Sequence, residues 1–234
     1  MKSAADAILR PEQAAYLDGL HAKSLHALAT LAGVIAVDGR DPLLARMEAK
    51  AAERGYPISD PEVACLLAIV ARLAQPKLVV ELGTNIGYGA IVLARAGGPP
   101  TRVVTIEFSG DLVAQARAYI AEAGLSDRIE VRQGEAIEQL EKIVEPIDLL
   151  YIDCVKEEYP RYLEIAAPKL ALRGVIVADN ALWRGEVAHT TPSRSEAARA
   201  AALKAFNLAL VSHADLCGVV LPFGDGVALA TRIR

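Results

Sequence analysis

The chain has 234 residues, 53% of them hydrophobic and only 5% aromatic, with a formal net charge of −4. That length suits one large domain with an aliphatic core, and the slight acidity argues against a nucleic-acid or anionic-membrane partner. Three widely spaced cysteines (Cys65, Cys154, Cys217) exclude a disulfide framework and read as reduced thiols of a cytoplasmic protein.

Residues 1–55 are Ala/Leu-rich with charges at helical spacing, predicting helices near Pro11–Ala36 and Pro42–Arg54. The apolar stretch Ser24–Val37 is too short for a membrane span, and Asp6 and Arg10 argue against a signal peptide. Gly55-Tyr56-Pro57 breaks the pattern, and Ser59-Asp60-Pro61-Glu62 reads as a capping box that opens a helix running to about Ala74. This gives residues 1–57 as a helical extension and 58–234 as the main domain. From Lys77 onward short apolar runs alternate with helical patterns. Strands are expected at Leu78–Leu82, Arg102–Ile106, Ile129–Arg132, Ile147–Ile152 and Val175–Ala178. Helices are expected at about Gly87–Ala96, Gly110–Ala123, Ala136–Val144, Glu158–Leu172 and Ser195–Ser212. Continuous apolar strands separated by helices predict an α/β fold, a parallel sheet covered on both faces. Cys217–Pro222 and Val227–Ile233, joined by Gly224-Asp225-Gly226, predict a closing antiparallel hairpin.

The most informative segment is Val79-Val80-Glu81-Leu82-Gly83-Thr84-Asn85-Ile86-Gly87-Tyr88-Gly89, a strand, a glycine turn and a helix start. Its Gly-x-x-x-Gly-x-Gly spacing differs from the Gly-x-Gly-x-x-Gly that cradles a pyrophosphate, and no Gly-Lys-Ser/Thr follows. A nucleoside ligand without phosphates fits, S-adenosylmethionine first among them. Ligands of open α/β sheets lie beyond the carboxyl ends of the strands, so the residues there become candidates. Glu81 is placed to meet an ammonium or hydroxyl. Glu107, at the end of the second strand, suits a ribose diol. Phe108 is read either as an adenine contact or as core, and Gly134-Glu135-Ala136 either as an adenine border or as an ordinary turn.

Asp153 ends the fourth strand and Asp179-Asn180 the fifth. Two carboxylates and an amide carbonyl from adjacent strands are hard oxygen donors, suited to Mg²⁺, Mn²⁺ or Ca²⁺ rather than zinc. Lys156 reads equally as a general base, its pKa lowered by nearby cations, or as a solvated lysine at a helix start. Trp183, the sole tryptophan, is either a stacking surface for a flat substrate or a loop anchor. Cys154 has no histidine beside it to make a nucleophile, and His21, His26, His189 and His213 show no metal-ligand spacing.

Together these residues resemble the metal-dependent class I O-methyltransferases of the caffeoyl-CoA and catechol type. The likeness rests on Val80–Tyr88, Thr105-Ile106-Glu107, Arg132–Ala136, Tyr151–Lys156, Ala178–Gly185, Ala205-Phe206-Asn207 and Leu221–Gly226, running from about Ile58 to the C-terminus. The resemblance implies a Rossmann-like, seven-stranded, mostly parallel sheet with its last strand reversed. It implies that Ile58, Glu81, Gly83, Gly87, Gly89, Glu107, Gly134, Ala136 and Asp153 surround S-adenosylmethionine. It implies further that Asp153, Asp179 and Asn180 bind a divalent cation, that Lys156 assists deprotonation, and that the protein is a homodimer. The family often has serine where this chain has Gly89, which leaves backbone N–H groups to hold the methionine carboxylate. The expected reaction is methyl transfer to a catechol or phenylpropanoid-type acceptor. A nucleotide-dependent oxidoreductase and a non-catalytic S-adenosylmethionine-binding protein are the alternatives.

Overall fold

The computed structural model describes residues 41–188 and 194–234. The helix expected near Pro11–Ala36, and His21, His26 and His189, lie outside the described residues.

Helix α1 (Pro42–Arg54) starts where the Asp41 side chain accepts from the Leu43 N–H at 2.9 Å and stops at Gly55, whose φ of +68° a residue with a side chain would resist. Helix α2 (Pro61–Ala74) occupies the predicted span, but the capping box does not form. Asp60 makes no side-chain capping bond, and the Ser59 hydroxyl instead shares a buried 2.8 Å hydrogen bond with the Tyr151 phenol. Proline in the first turn, which lacks an N–H to satisfy, suffices to start the helix.

Five strands follow in alternation with helices: β1 (Leu78–Leu82), α3 (Tyr88–Gly97), β2 (Arg102–Glu107), α4 (Gly110–Glu122), β3 (Ile129–Gln133), α5 (Ala136–Glu141), β4 (Ile147–Ile152), α6 (Tyr159–Ala166) and β5 (Leu170–Ala178). Helix α7 (Ala197–Ser212) leads to the hairpin β6 (Leu216–Leu221) and β7 (Val227–Arg232). Among the described residues the sheet has the order β3-β2-β1-β4-β5-β7-β6. β1 to β5 run parallel, and β7 inserts antiparallel between β5 and β6.

The expected helix Glu158–Leu172 is shorter than predicted. It ends at Ala166, Pro168 sits in a 3-10 turn, and the chain is extended by Leu170, which pairs with Ile147. Helix α5 also stops early, at Glu141, where the Lys169 ammonium donates to the carbonyls of Leu140, Glu141 and Ile143, each at 2.8 Å.

Strand alternation divides the core. Val79, Val103, Leu149 and Val177 face the layer of α1 to α4, while Val80, Leu82, Val104, Leu150 and Ile176 face that of α5 to α7. Helix α1, read from the sequence as part of an extension, shares the first of these cores through Leu43, Leu44 and Met47. No helix of the described residues is long and apolar enough to cross a membrane. All three cysteines are free.

Candidate active site

The carboxyl ends of the parallel strands are laced together past their last paired residues. The N–H groups of Gly83 and Thr84 both donate to Ile106 O at 3.1 Å, Asp153 N–H to Leu82 O at 2.9 Å, and Asp179 N–H to Ile152 O at 3.0 Å. Gly83 must be glycine. Its φ is +98°, and a Cβ there would stand 2.0 Å from Asp153 O. The residues that follow each strand therefore diverge from a fixed line, and between them opens a cleft of about 940 Å³. That is at the upper end of the roughly 300–1,000 Å³ of small-ligand sites, large enough for a nucleoside and a second small molecule.

On the β2–β3 side of β1 the wall carries Ile58, Glu107, Phe108, Gly134 and Ala136. Glu107 is oriented by its own surroundings. One carboxylate oxygen accepts from Asn85 N–H and the other from Ser109 N–H, both at 2.9 Å. Two fixed oxygens at the cleft wall suit a pair of vicinal hydroxyls. Phe108 is 69% exposed, which excludes its reading as a core residue. Gly134 (φ +146°) turns the chain from β3 toward α5 and donates its N–H to Glu107 O at 2.9 Å.

On the β4–β5 side the wall carries Asp153, Lys156, Asp179, Asn180 and Trp183. Lys156 donates to Asp153 Oδ1 at 2.8 Å and to the Tyr159 hydroxyl at 2.9 Å. Burial alone would lower its pKa, but Tyr159 and Asp153 outweigh burial and hold it above the ordinary lysine value. The solvated-lysine reading fails, because Lys156 is only 8% exposed. The lowered pKa expected of a general base is not what these surroundings produce. Asp179 accepts from Asn180 N–H at 2.7 Å. Burial first, and then the neighbouring Asp153 charge, raise its pKa to about 7. Asn180 (φ +55°) bends the chain away from the sheet, and the Asn207 amide holds the loop by donating to Ala181 O at 2.7 Å.

Asp153, Asp179 and the Asn180 amide are hard oxygen donors at the ends of adjacent strands, the chemistry a divalent cation of the Mg²⁺ kind requires. Among the described residues no three His, Cys, Asp or Glu side chains group to hold a metal without the amide. The repulsion between Asp153 and Asp179 is the negative charge such a cation would neutralise, so the residues fit one.

Three expected residues lie elsewhere. Glu81, Gly87 and Gly89 are not part of the cleft wall. Glu81 shares the strand face of Val79, toward α3, and is followed by one further strand residue, so its carboxyl lies beneath the first turn of α3 and accepts from the Thr105 hydroxyl. Gly89 leaves the space that this carboxyl fills, since a Cβ there would come within 2.2 Å of Glu81 Oε1. Gly87 (φ +90°) starts α3, with Ala116 packed 3.3 Å from where a Cβ would stand. Trp183 is anchored: its indole N–H donates to Glu196 at 2.6 Å and Arg199 stacks on the ring 5.6 Å from its centroid. Burial pushes the Cys154 thiol up, away from nucleophilic chemistry.

Sequence reasoning missed Asp60 and Tyr159. Asp60 lines the cleft, and its pKa is raised by burial and by the Asp153 charge. Its position in an apparent capping box concealed it. Tyr159 lies one helical turn beyond Lys156, and that i, i+3 spacing was the available signal.

The model of the O-methyltransferase family matches residues 42–233, which takes in α1 as well as the segment recognised by motif. A catechol O-methyltransferase of Niastella koreensis is 35% identical over 199 residues, covering 81% of this chain and 89% of the relative. One of Mycobacterium tuberculosis is 38% identical over 153 residues, covering 64% and 69% respectively. Among solved structures, the O-methyltransferase of Bacillus cereus in complex with SAH superposes with a TM-score of 0.79 at 27% identity, covering 88% of this chain and 97% of that one. The oxidoreductase alternative has no support beside these matches. This chain belongs to the class I S-adenosylmethionine-dependent O-methyltransferases.

Proposed function

We propose that the acceptor is a catechol-like small molecule, methylated on one of two adjacent hydroxyls with the help of a divalent cation, Mg²⁺ foremost. The observation that carries this reading is the division of one cleft. A fixed diol-accepting carboxylate, Glu107, stands on the β2 side, and an oxygen-donor set with a buried lysine stands on the β4–β5 side. The names of the two catechol O-methyltransferase relatives favour the same acceptor class.

In this reading Glu107 receives the ribose hydroxyls of S-adenosylmethionine and Phe108 lies against the adenine. Ile58, Gly83, Gly134 and Ala136 shape the rest of that half. Asp153, Asp179 and Asn180 hold the cation, which supplies Lewis acidity that lowers the pKa of a nearby hydroxyl. Lys156, kept as an ammonium by Asp153 and Tyr159, stabilises the negative charge on the acceptor oxygen and does not remove its proton. The oxygen bonds to the methyl carbon as the carbon–sulfur bond breaks, and the hydroxyl proton leaves to water. Opposite charges are neutralised in a cleft that fixes both partners, so positioning supplies much of the rate.

The test is a mass-spectrometric product screen on catechols and matched monophenols, with Mg²⁺ or with chelator. Single methylation confined to the catechols, lost with chelator and in Asp153→Ala, is expected. Full turnover of Asp153→Ala in excess chelator would remove the cation from the reaction.

A further inference from the structure

Tyr159 is fully buried at the first position of α6. Its hydroxyl oxygen accepts from Lys156 Nζ at 2.9 Å, and its proton faces two backbone oxygens, Asp179 O at 3.1 Å and Ile152 O at 3.2 Å. One phenol thus joins the lysine to the ends of both strands that carry Asp153 and Asp179. The ring cannot swing away. Phe206 meets it edge-on, with centroids 5.3 Å apart and planes at 78°, and Tyr162 packs at 6.0 Å. A free lysine side chain samples many rotamers. Asp153 at 2.8 Å and Tyr159 at 2.9 Å remove that freedom from two directions.

We propose that Tyr159 is a positioning residue for methyl transfer: its hydroxyl fixes the Lys156 ammonium in the cleft wall and couples its place to the backbone of Asp179. The inference rests on the role of Lys156 proposed above. A phenol serving only the core would do its work through the ring, and the ring survives in Tyr159→Phe. The hydroxyl alone is therefore the object of the test.

The test is a double-mutant cycle of Tyr159→Phe and Lys156→Met, with catechol, S-adenosylmethionine and Mg²⁺, read by steady-state kinetics well below the melting temperature of the least stable variant. Tyr159→Phe is expected to lower kcat about tenfold or more, as misplacement of a reacting group does, with both KM values held. In the Lys156→Met background it is expected to add less than roughly twofold, because the two residues act as one unit. An equal loss in both backgrounds, or no loss from Tyr159→Phe, would overturn the proposal. If Lys156→Met itself keeps the wild-type kcat, the role of Lys156 fails and the proposal falls with it. If only Tyr159→Phe is silent, the lysine reading stands and the positioning role alone is lost.

Discussion

Glu81→Gln probes the most deeply buried acid of the sheet. The residue is 1% exposed and its carboxyl is enclosed by the Thr105 hydroxyl and the bare face of Gly89. Burial raises its pKa from 4.5 to about 8, opposed by the Thr105 hydrogen bond and reinforced by the Asp153 and Glu107 charges. The folded chain therefore holds this proton more tightly than the unfolded chain. Below pH 4.5 both states are protonated and nothing is lost. As pH rises from 4.5 to about 8 the unfolded state releases the proton first, so stability declines across that window, and above it the loss is complete. The displacement of about 3.5 pH units, at about 1.4 kcal/mol each, bounds the loss at about 5 kcal/mol. Glutamine keeps the size and one acceptor oxygen for Thr105 but does not titrate. Urea unfolding of both proteins from pH 4.5 to 9, without ligand, is expected to show the variant gaining on the wild type as pH rises, by a few kcal/mol at the alkaline end. A difference that stays flat over the window would refute a buried, proton-retaining Glu81.

Gly83→Ala is expected to lose on the order of 3 kcal/mol of unfolding free energy, from positive-φ strain and from overlap with the Asp153 carbonyl. An unchanged denaturant midpoint would show that β1 and β4 separate at no cost there. Glu107→Gln is expected to raise the dissociation constant for S-adenosylmethionine about 10–100-fold, the loss of one charge-assisted hydrogen bond of roughly 1.5–3 kcal/mol. The amide nitrogen would also face the Asn85 or Ser109 N–H, which it cannot accept. Calorimetry giving wild-type affinity would detach Glu107 from the cofactor.

Period and punctuation made most of this fold legible. The apolar runs at Leu78–Leu82 and Ile147–Ile152 are strands over those same residues, and Gly224-Asp225-Gly226 turns the hairpin as read. What was not legible depends on neighbours across the sheet. Nothing in Val-Val-Glu-Leu-Gly says that Glu81 will lie beside Thr105 in register, beneath a helix whose second residue is glycine. The motif shows an acid near a glycine turn, and only the parity of the strand shows which way it points. Ser59 misled for the same reason. Its local partner would be a helix N–H, but Tyr151, ninety-two positions away, offers a buried hydroxyl instead. The strand-end residues Glu107, Asp153 and Asp179 were easier, because any residue that leaves a parallel strand at its carboxyl end enters the crevice.

In the function proposed above, the charges of the cleft would favour a cationic donor over its neutral product. Burial first, and then the Asp153 charge, raise Asp60 and Asp179, and the Lys156 ammonium is hydrogen-bonded to Asp153. The strand-end carboxylates that line the cleft are also each fixed from their own side. Asp179 is held by the Asn180 N–H, Asp153 by Lys156, and Glu107 by two backbone N–H groups. Fixed negative charge of this kind needs no reorganisation when a cation arrives. S-adenosylmethionine brings a sulfonium, and methyl transfer converts it to a neutral thioether. On that proposal, the field that draws the cationic donor in would have less hold on the spent one, so the arrangement that binds the substrate would also favour release of the product.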